Sequence, residues 1–122
     1  MKKTKIYACQ DCGNILTSAS DADISCCGKK LFPLEPRKAE ASETLQMEEV
    51  DGEWYITSNH EMTKSHYIAF VAFLTDNILI LSRQYPEWNL QVRMPHYARG
   101  RLLWYCTKCG LLYKDIRPVN KA

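Results

Sequence analysis

The six cysteines are the residues of this 122-residue sequence best suited to chemistry, and they occur as three close pairs. These pairs are Cys9 with Cys12, Cys26 with Cys27, and Cys106 with Cys109. Secreted disulfide scaffolds usually spread their cysteines more widely, and no apolar stretch follows the basic start of the chain, as a signal peptide would require. We therefore expect a cytoplasmic protein whose cysteine pairs ligate metal rather than form disulfides.

The first two pairs predict one metal site. Cys9 and Cys12 enclose two residues and are followed by Gly13, a spacing typical of a metal knuckle in which glycine takes a positive φ. Adjacent side chains on an extended strand point to opposite faces, so Cys26 and Cys27 can reach one ion only if the chain turns sharply, which Gly28 permits. A tetrahedral site of four sulfurs suits zinc or a single iron.

Two histidines and the last cysteine pair predict a second metal site. His60 and His66 precede an apolar run, and Cys106 and Cys109 lie near the C-terminus. Two imidazoles with two thiolates can hold zinc or iron tetrahedrally. Exposed loop histidines and a redox dithiol or disulfide are the alternatives.

Other candidate ligands of the second site are fewer. His96 follows Pro95 in a predicted turn, where we expect a surface or turn role. A carboxylate from Glu43 or Glu48 would complete a more open iron site.

The chain divides by composition into two segments. The first, residues 1–36, has few large apolar side chains and cannot build a self-sufficient core, so it needs a covalent or metal staple, for which its four cysteines are available. Pro33 and Pro36 then interrupt regular structure. Residues 37–43 are charged and alanine-rich, which indicates a linker or a short helical turn. We predict a second domain over residues 40–122.

The second segment reads as β structure. Asp51-Gly52 and Thr75-Asp76-Asn77 are turn signals between apolar stretches. The run 67–74 is apolar on both faces, and its β-branched and aromatic residues favour a central strand over a buried helix. About seven short strands at regular spacing predict a sandwich. They are expected at 45–50, 54–57, 67–74, 78–81, 90–94, 102–105 and 111–113.

The first cysteine site resembles a known family. Tyr7-Ala-Cys9-Gln-Asp-Cys12-Gly-Asn-Ile15, followed by Ser25-Cys-Cys-Gly28, is similar to desulforedoxin and to the N-terminal domain of desulfoferrodoxin. In that family four cysteines hold one iron, which implies iron at Cys9, Cys12, Cys26 and Cys27. The adjacent cysteines make this match more specific than a bare Cys-x-x-Cys.

The resemblance extends into the second segment. His60-x-Met-x-x-x-His66-Tyr-Ile and Tyr105-Cys-x-x-Cys-Gly-Leu111 resemble the superoxide reductase domain of desulfoferrodoxin. The family's domain is an immunoglobulin-like β-sandwich. Its iron has four equatorial histidines, an axial cysteine and an open position for superoxide. The resemblance thus implies an all-β chain, with a small metal-stapled domain before such a sandwich.

Only some of the family's iron ligands have counterparts in this sequence. His60 and His66 match two equatorial ligands, Cys106 matches the axial thiolate, and Cys109 stands where the family has its last histidine. The stretch 41–50 contains neither the family's first histidine nor its lysine. We predict a non-haem iron redox protein with a sulfur-ligated iron centre and iron or zinc at the second site. The alternative is a non-catalytic metal-binding or electron-transfer protein with a closed second site of two histidines and two cysteines.

Net charge and hydrophobicity bear on which classes of binding partner the protein is expected to have. The net charge of +2 gives no reason to expect nucleic acid or an anionic membrane, and the longest apolar run is too short to span a bilayer. The resemblance implies a homodimer, with a small electron-transfer protein as a further partner. A zinc-stapled interaction module is a third hypothesis, for which Trp54, Trp88 and Trp104 would supply the apolar surface.

Overall fold

The computed structural model describes residues 4–20, 22–97 and 99–117, and these form strands and loops with one 3₁₀ turn at Ala41–Glu43. They contain no α-helix, which confirms the all-β prediction. The chain divides into two compact units, Met1–Glu35 and Pro36–Ala122. Within the part of the chain that the structure describes, no helix is long and apolar enough to cross a lipid bilayer.

The first unit consists of two antiparallel hairpins. Strands β1 (Lys5–Ala8) and β2 (Ile15–Ser18) form one, and β3 (Ile24–Cys26) and β4 (Lys29–Leu31) form the other. Among its described residues, only Ile6, Tyr7 and Cys9 are buried apolar side chains. So small a core cannot by itself offset the conformational entropy of ordering the unit.

The second unit is a β-sandwich of two sheets. The three-stranded sheet has the order β10 (Gln91–Pro95), β7 (Glu53–Thr57), β6 (Gln46–Val50). The five-stranded sheet has the order β5 (Arg37–Lys38), β12 (Gly110–Ile116), β11 (Gly100–Cys106), β8 (Ile68–Leu74), β9 (Leu79–Arg83). All neighbours are antiparallel except β5 and β12, which are parallel.

The core lies between the two sheets. On β10 the apolar side chains Val92 and Met94 are buried and alternate with exposed polar ones, as expected for a strand with one wet face. They pack in one cluster with Phe73 of β8 and with Trp104 of β11. Strand β8 is paired on both sides and is buried along almost its whole length, so the apolar run is a central strand, as predicted.

The Asp51-Gly52 turn signal is also confirmed. Both residues have positive φ, 52° and 78°, and Val50 pairs with Glu53 across the turn. This is a two-residue hairpin loop, whose twist matches that of the flanking strands.

Two sequence expectations are refined by the structure. The segment expected as a linker or helical turn contains the 3₁₀ turn, but Arg37 and Lys38 also pair with β12. Of the three tryptophans, Trp104 is buried, Trp54 donates its indole N–H to the Tyr97 carbonyl, and only Trp88 is largely exposed, at 66%. The interaction-module hypothesis therefore retains one tryptophan of three.

Candidate metal centres

The four cysteines of the first unit converge on one point. The sulfurs of Cys9, Cys12, Cys26 and Cys27 all lie within 4.8 Å of one another. Cys12 Sγ is 3.4 Å from Cys26 Sγ, and Cys26 Sγ is 3.9 Å from Cys27 Sγ. All six cysteines of the chain are free thiols, so the disulfide alternatives do not apply to this structure. We call this group the first centre.

The knuckle of the first centre follows strand β1. The N–H of Gly13 donates to the Cys9 carbonyl at 2.9 Å, and the N–H of Cys9 donates to the Asn14 carbonyl at 2.9 Å. Gly13 has a φ of 75°, as the sequence predicted. The chain therefore folds back within four residues, which brings Cys12 beside Cys9.

The adjacent cysteines reach one point because a turn separates them. Cys26 is the last residue of β3 and pairs with Lys29, so Cys27 and Gly28 are the two central residues of a hairpin loop. Their φ values are 54° and 75°. Left-handed backbone costs a residue with a side chain about 1–2 kcal/mol, so the Cys27 conformation needs compensation from elsewhere. Metal ligation by its sulfur would supply that compensation.

The thiols of the first centre differ in acidity. The backbone N–H of Cys12, helped by that of Asp11, lowers the pKa of the Cys9 thiol from 9.0 to about 7. The sulfurs of Cys12 and Cys9 raise the pKa of Cys27 to about 12, and they also raise the pKa of Cys26. A divalent ion that binds here must displace protons from Cys26 and Cys27, so its affinity rises with pH.

The second centre joins two loops of the sandwich. The ligand atoms of His60, His66, Cys106 and Cys109 all lie within 4.8 Å of one another. His66 Nε2 is 3.1 Å from Cys106 Sγ and 3.9 Å from Cys109 Sγ. Cys106 is fully buried and Cys109 is exposed. The structure thus brings together all four residues that the sequence analysis assigned to this site.

Strand pairing positions the two halves of the second centre. Cys106 ends β11 and pairs with Gly110, whose φ of 90° closes the turn that carries Cys109. The Cys109 N–H donates to Cys106 Sγ at 3.3 Å. Two further hydrogen bonds hold this turn to the residue after His66, because Thr107 N–H donates to the Tyr67 carbonyl and Tyr67 N–H donates to the Thr107 hydroxyl.

The histidines have the chemistry that a metal ion requires. His60 Nδ1 lies 2.6 Å from the Glu61 carbonyl oxygen, which can only accept, so Nδ1 carries the proton and Nε2 has a free lone pair. His60 Nε2 is buried. Among the buried side-chain nitrogen and oxygen atoms of the described residues, it is the only one without a hydrogen-bond partner. Burying an unpaired acceptor is costly, and a metal ion would satisfy it. The donor set therefore fits zinc or iron.

The other candidate ligands are not members of either metal-ligand group. His96 Nε2 is 2.8 Å from Glu49 Oε2, and its ring packs on Trp54 at a centroid distance of 4.5 Å. Neither His96 nor Glu43 nor Glu48 belongs to a metal-ligand group formed by the described residues. The more open iron site completed by a glutamate is therefore not what this arrangement provides.

An ion pair that the sequence analysis did not find lies near Cys109. Both guanidinium nitrogens of Arg37 donate to the Glu43 carboxylate, at 3.0 and 2.9 Å, and the Glu40 N–H donates to it at 3.0 Å. Arg37, helped by that N–H, lowers the pKa of Glu43 from 4.5 to about 2. The sulfur of Cys106 and burial raise the pKa of Cys109, a rise that Glu43 increases and Arg37 opposes. From the sequence alone, the only signal for this ion pair is two opposite charges six residues apart.

Substituting Arg37→Ala is expected to raise the pKa of Glu43 from about 2 towards 4.5. Because the folded-state pKa lies below the unfolded one, the stability from this pair is present above about pH 4.5 and is lost as pH falls through about 2. The pair is partly exposed, so solvent screens it and the loss of stability should be small. An NMR titration of the Glu43 carboxyl checks this, with Arg93→Ala as the control; an unchanged Glu43 pKa in Arg37→Ala would contradict it.

Comparisons with known proteins support the fold. No model of a protein family and no curated protein sequence matches the chain. The superoxide reductase from Treponema pallidum matches over 93% of this chain and 99% of its own length, with a TM-score of 0.76 and 15% identity. The superoxide reductase from Nanoarchaeum equitans covers 66% of this chain and 97% of its own, at a TM-score of 0.40 and 19% identity. The chain therefore has the fold of the Treponema pallidum protein, which confirms the fold that the sequence resemblance implied.

Proposed function

We propose that this chain is a non-haem iron redox protein with two mononuclear centres, of which the first transfers electrons and the second is a closed four-ligand site. The fold and the two groups of metal-ligand side chains support the broader description as an iron redox protein. The observation that carries the finer proposal is the complete set of four donor atoms at the second centre, all within 4.8 Å.

The first centre has the features of an electron-transfer site. Iron bound there would supply a one-electron couple between its ferrous and ferric forms. Cys12 and Cys27 are exposed, so an electron partner can approach the sulfurs closely. Asn14 Nδ2 lies 3.9 Å from Cys26 Sγ, and side-chain donors near sulfur tune the potential of such sites.

The second centre is better suited to coordinating a metal ion fully than to leaving a coordination position open for substrate. Two thiolates neutralise a divalent ion, and two imidazoles complete a tetrahedron without a fifth ligand. The nearby Glu43 carboxylate is already engaged by Arg37 and by the Glu40 N–H. On this proposal the site holds zinc or iron, and Cys106 and Cys109 are both ligands.

Reduction of superoxide at the second centre is the second candidate function. The fold likeness to the Treponema pallidum superoxide reductase favours it. The Arg37 guanidinium also lies close enough to Cys109 to influence its pKa, and a cation there would attract an anionic substrate. This candidate requires an open position on the metal, which the closed-site proposal excludes.

Metal analysis with optical spectra tests the proposal on protein purified without oxygen. We expect two metal ions per chain and the thiolate-to-iron absorption of a sulfur-ligated iron. Cys109→Ser should remove the second metal and leave the first-centre spectrum unchanged, whereas an exposed serine change such as Ser25→Ala should alter neither. If Cys109→Ser retains the iron absorption of the second centre, and added azide shifts that absorption, the closed site is contradicted and the second candidate is favoured.

A homodimer, a small electron-transfer partner and a cytoplasmic location belong to the same proposal. The homodimer and the electron-transfer partner rest on the sequence resemblance.

A further inference from the structure

Glu61 contacts both histidines of the second centre, through two different groups. Its backbone carbonyl lies 2.6 Å from His60 Nδ1, and its carboxylate Oε2 lies 3.4 Å from His66 Nδ1. The carbonyl oxygen can only accept a hydrogen bond, so the His60 contact requires the proton on Nδ1. At 3.4 Å the carboxylate contact with His66 is an ion-pair distance, and it stabilises the form of His66 that carries a proton on Nδ1. Each imidazole then has its lone pair on Nε2, and His66 Nε2 lies beside the two cysteine sulfurs.

The Glu61 carboxylate is itself held in place. The Thr63 hydroxyl donates to Glu61 Oε2 at 2.9 Å. Thr63 is fixed against His66 by two backbone hydrogen bonds, one in each direction, at 3.0 and 3.2 Å. The Thr63 hydroxyl therefore anchors the Glu61 carboxylate beside the His66 imidazole within one loop.

We propose that Glu61 is the positioning residue of the second centre, which fixes the Nδ1–H tautomer of both histidines and turns their Nε2 atoms towards the cysteine pair. This inference rests on the proposed function, because it takes the four-ligand group as a metal site. A carboxylate behind a ligating imidazole orients the ring and increases its basicity, and loss of such a partner usually weakens metal binding about 10–100-fold.

The side chain and the backbone of Glu61 make separable contributions. Replacing the side chain leaves the carbonyl that orients His60 in place, so the effect should fall on His66. Glu61→Gln keeps an acceptor of similar shape but removes the charge, and Glu61→Ala removes the acceptor as well. We expect affinity to fall by about 10-fold in the first variant and nearer 100-fold in the second.

The experiment uses the full chain loaded with ¹¹³Cd²⁺, a soft divalent ion that gives each centre its own NMR resonance. A competing chelator is titrated while both resonances are followed, so the first centre serves as an internal control in every sample. Glu53→Gln is the matched variant, since Glu53 is a partly exposed glutamate in an ion pair with Arg93 elsewhere in the same unit. In ¹⁵N spectra, His66 should show cadmium coupling at Nε2 in the unsubstituted protein, and this signal should weaken in Glu61→Gln.

The outcomes separate the inference from the function on which it rests. If the unsubstituted protein gives no resonance from the second centre, the metal site itself fails, and the inference fails with it. If that resonance is present but Glu61→Gln and Glu61→Ala lose it no more readily than Glu53→Gln does, only the positioning role is overturned. Should the Glu61 variants not fold, Thr63→Val replaces them: a selective loss of second-centre affinity supports the role, and no loss overturns it.

Discussion

Replacing Cys27 with serine is expected to release the metal of the first centre and to unfold the first unit, while the sandwich stays folded. The physical reason is the small number of buried apolar side chains in that unit, three among its described residues. Structural metal sites of this kind supply about 10–16 kcal/mol of binding free energy, which becomes folding free energy when the apo form has no core of its own. Cys27 also has a φ of 54°, a conformation that becomes harder to maintain once its sulfur no longer binds.

The two units can be followed separately in the same sample. All three tryptophans of the sequence lie after residue 50, so their fluorescence reports on the second unit alone. Amide hydrogen exchange of the first unit should lose its protection in Cys27→Ser, whereas tryptophan fluorescence should keep its unfolding midpoint. Ser25→Ala, at an exposed position of the same hairpin, is the control. Full metal content and an unchanged spectrum in Cys27→Ser would rule out the four-sulfur centre.

The second large effect is expected in the consumption of superoxide, which should be orders of magnitude slower than the diffusional ceiling of about 10⁸–10⁹ M⁻¹s⁻¹. The stretch 41–50 supplies no imidazole and no ammonium group, and a second thiolate from Cys109 stands where the resembling family has a histidine. Extra negative charge at the metal and a filled coordination sphere both oppose the approach of an anion.

The measurement is superoxide decay with the reduced, iron-loaded protein, compared with the metal-free chain as background. A rate near the ceiling would show that the missing groups are dispensable or replaced. Arg37 is the cation that would replace them, so in that event Arg37→Ala and added salt should each slow the reaction.

Much of the fold was predictable because it depends on local sequence. Asp51-Gly52 predicted a hairpin turn, since both residues tolerate positive φ, and the structure has that turn. The run 67–74, which is apolar on both faces, predicted a central strand, and β8 is paired on both sides. The clustering of cysteines beside Gly13 and Gly28 indicated the first centre, because ligand type and spacing within a knuckle are themselves local properties.

Other features of the molecule depend on contacts between distant segments, which form only when the chain folds. His66 meets Cys106 across 40 positions of sequence, because the pairing of β8 with β11 and the hydrogen bonds between Tyr67 and Thr107 bring the two loops together. The capture of Glu43 by Arg37 occurs where the 3₁₀ turn at Ala41–Glu43 follows β5, which itself pairs with β12, and residue charges alone did not reveal this arrangement. The role proposed for Glu61 could not be predicted from sequence. It depends on the directions of its carbonyl oxygen and its carboxylate oxygen, which are fixed only when the loop is folded.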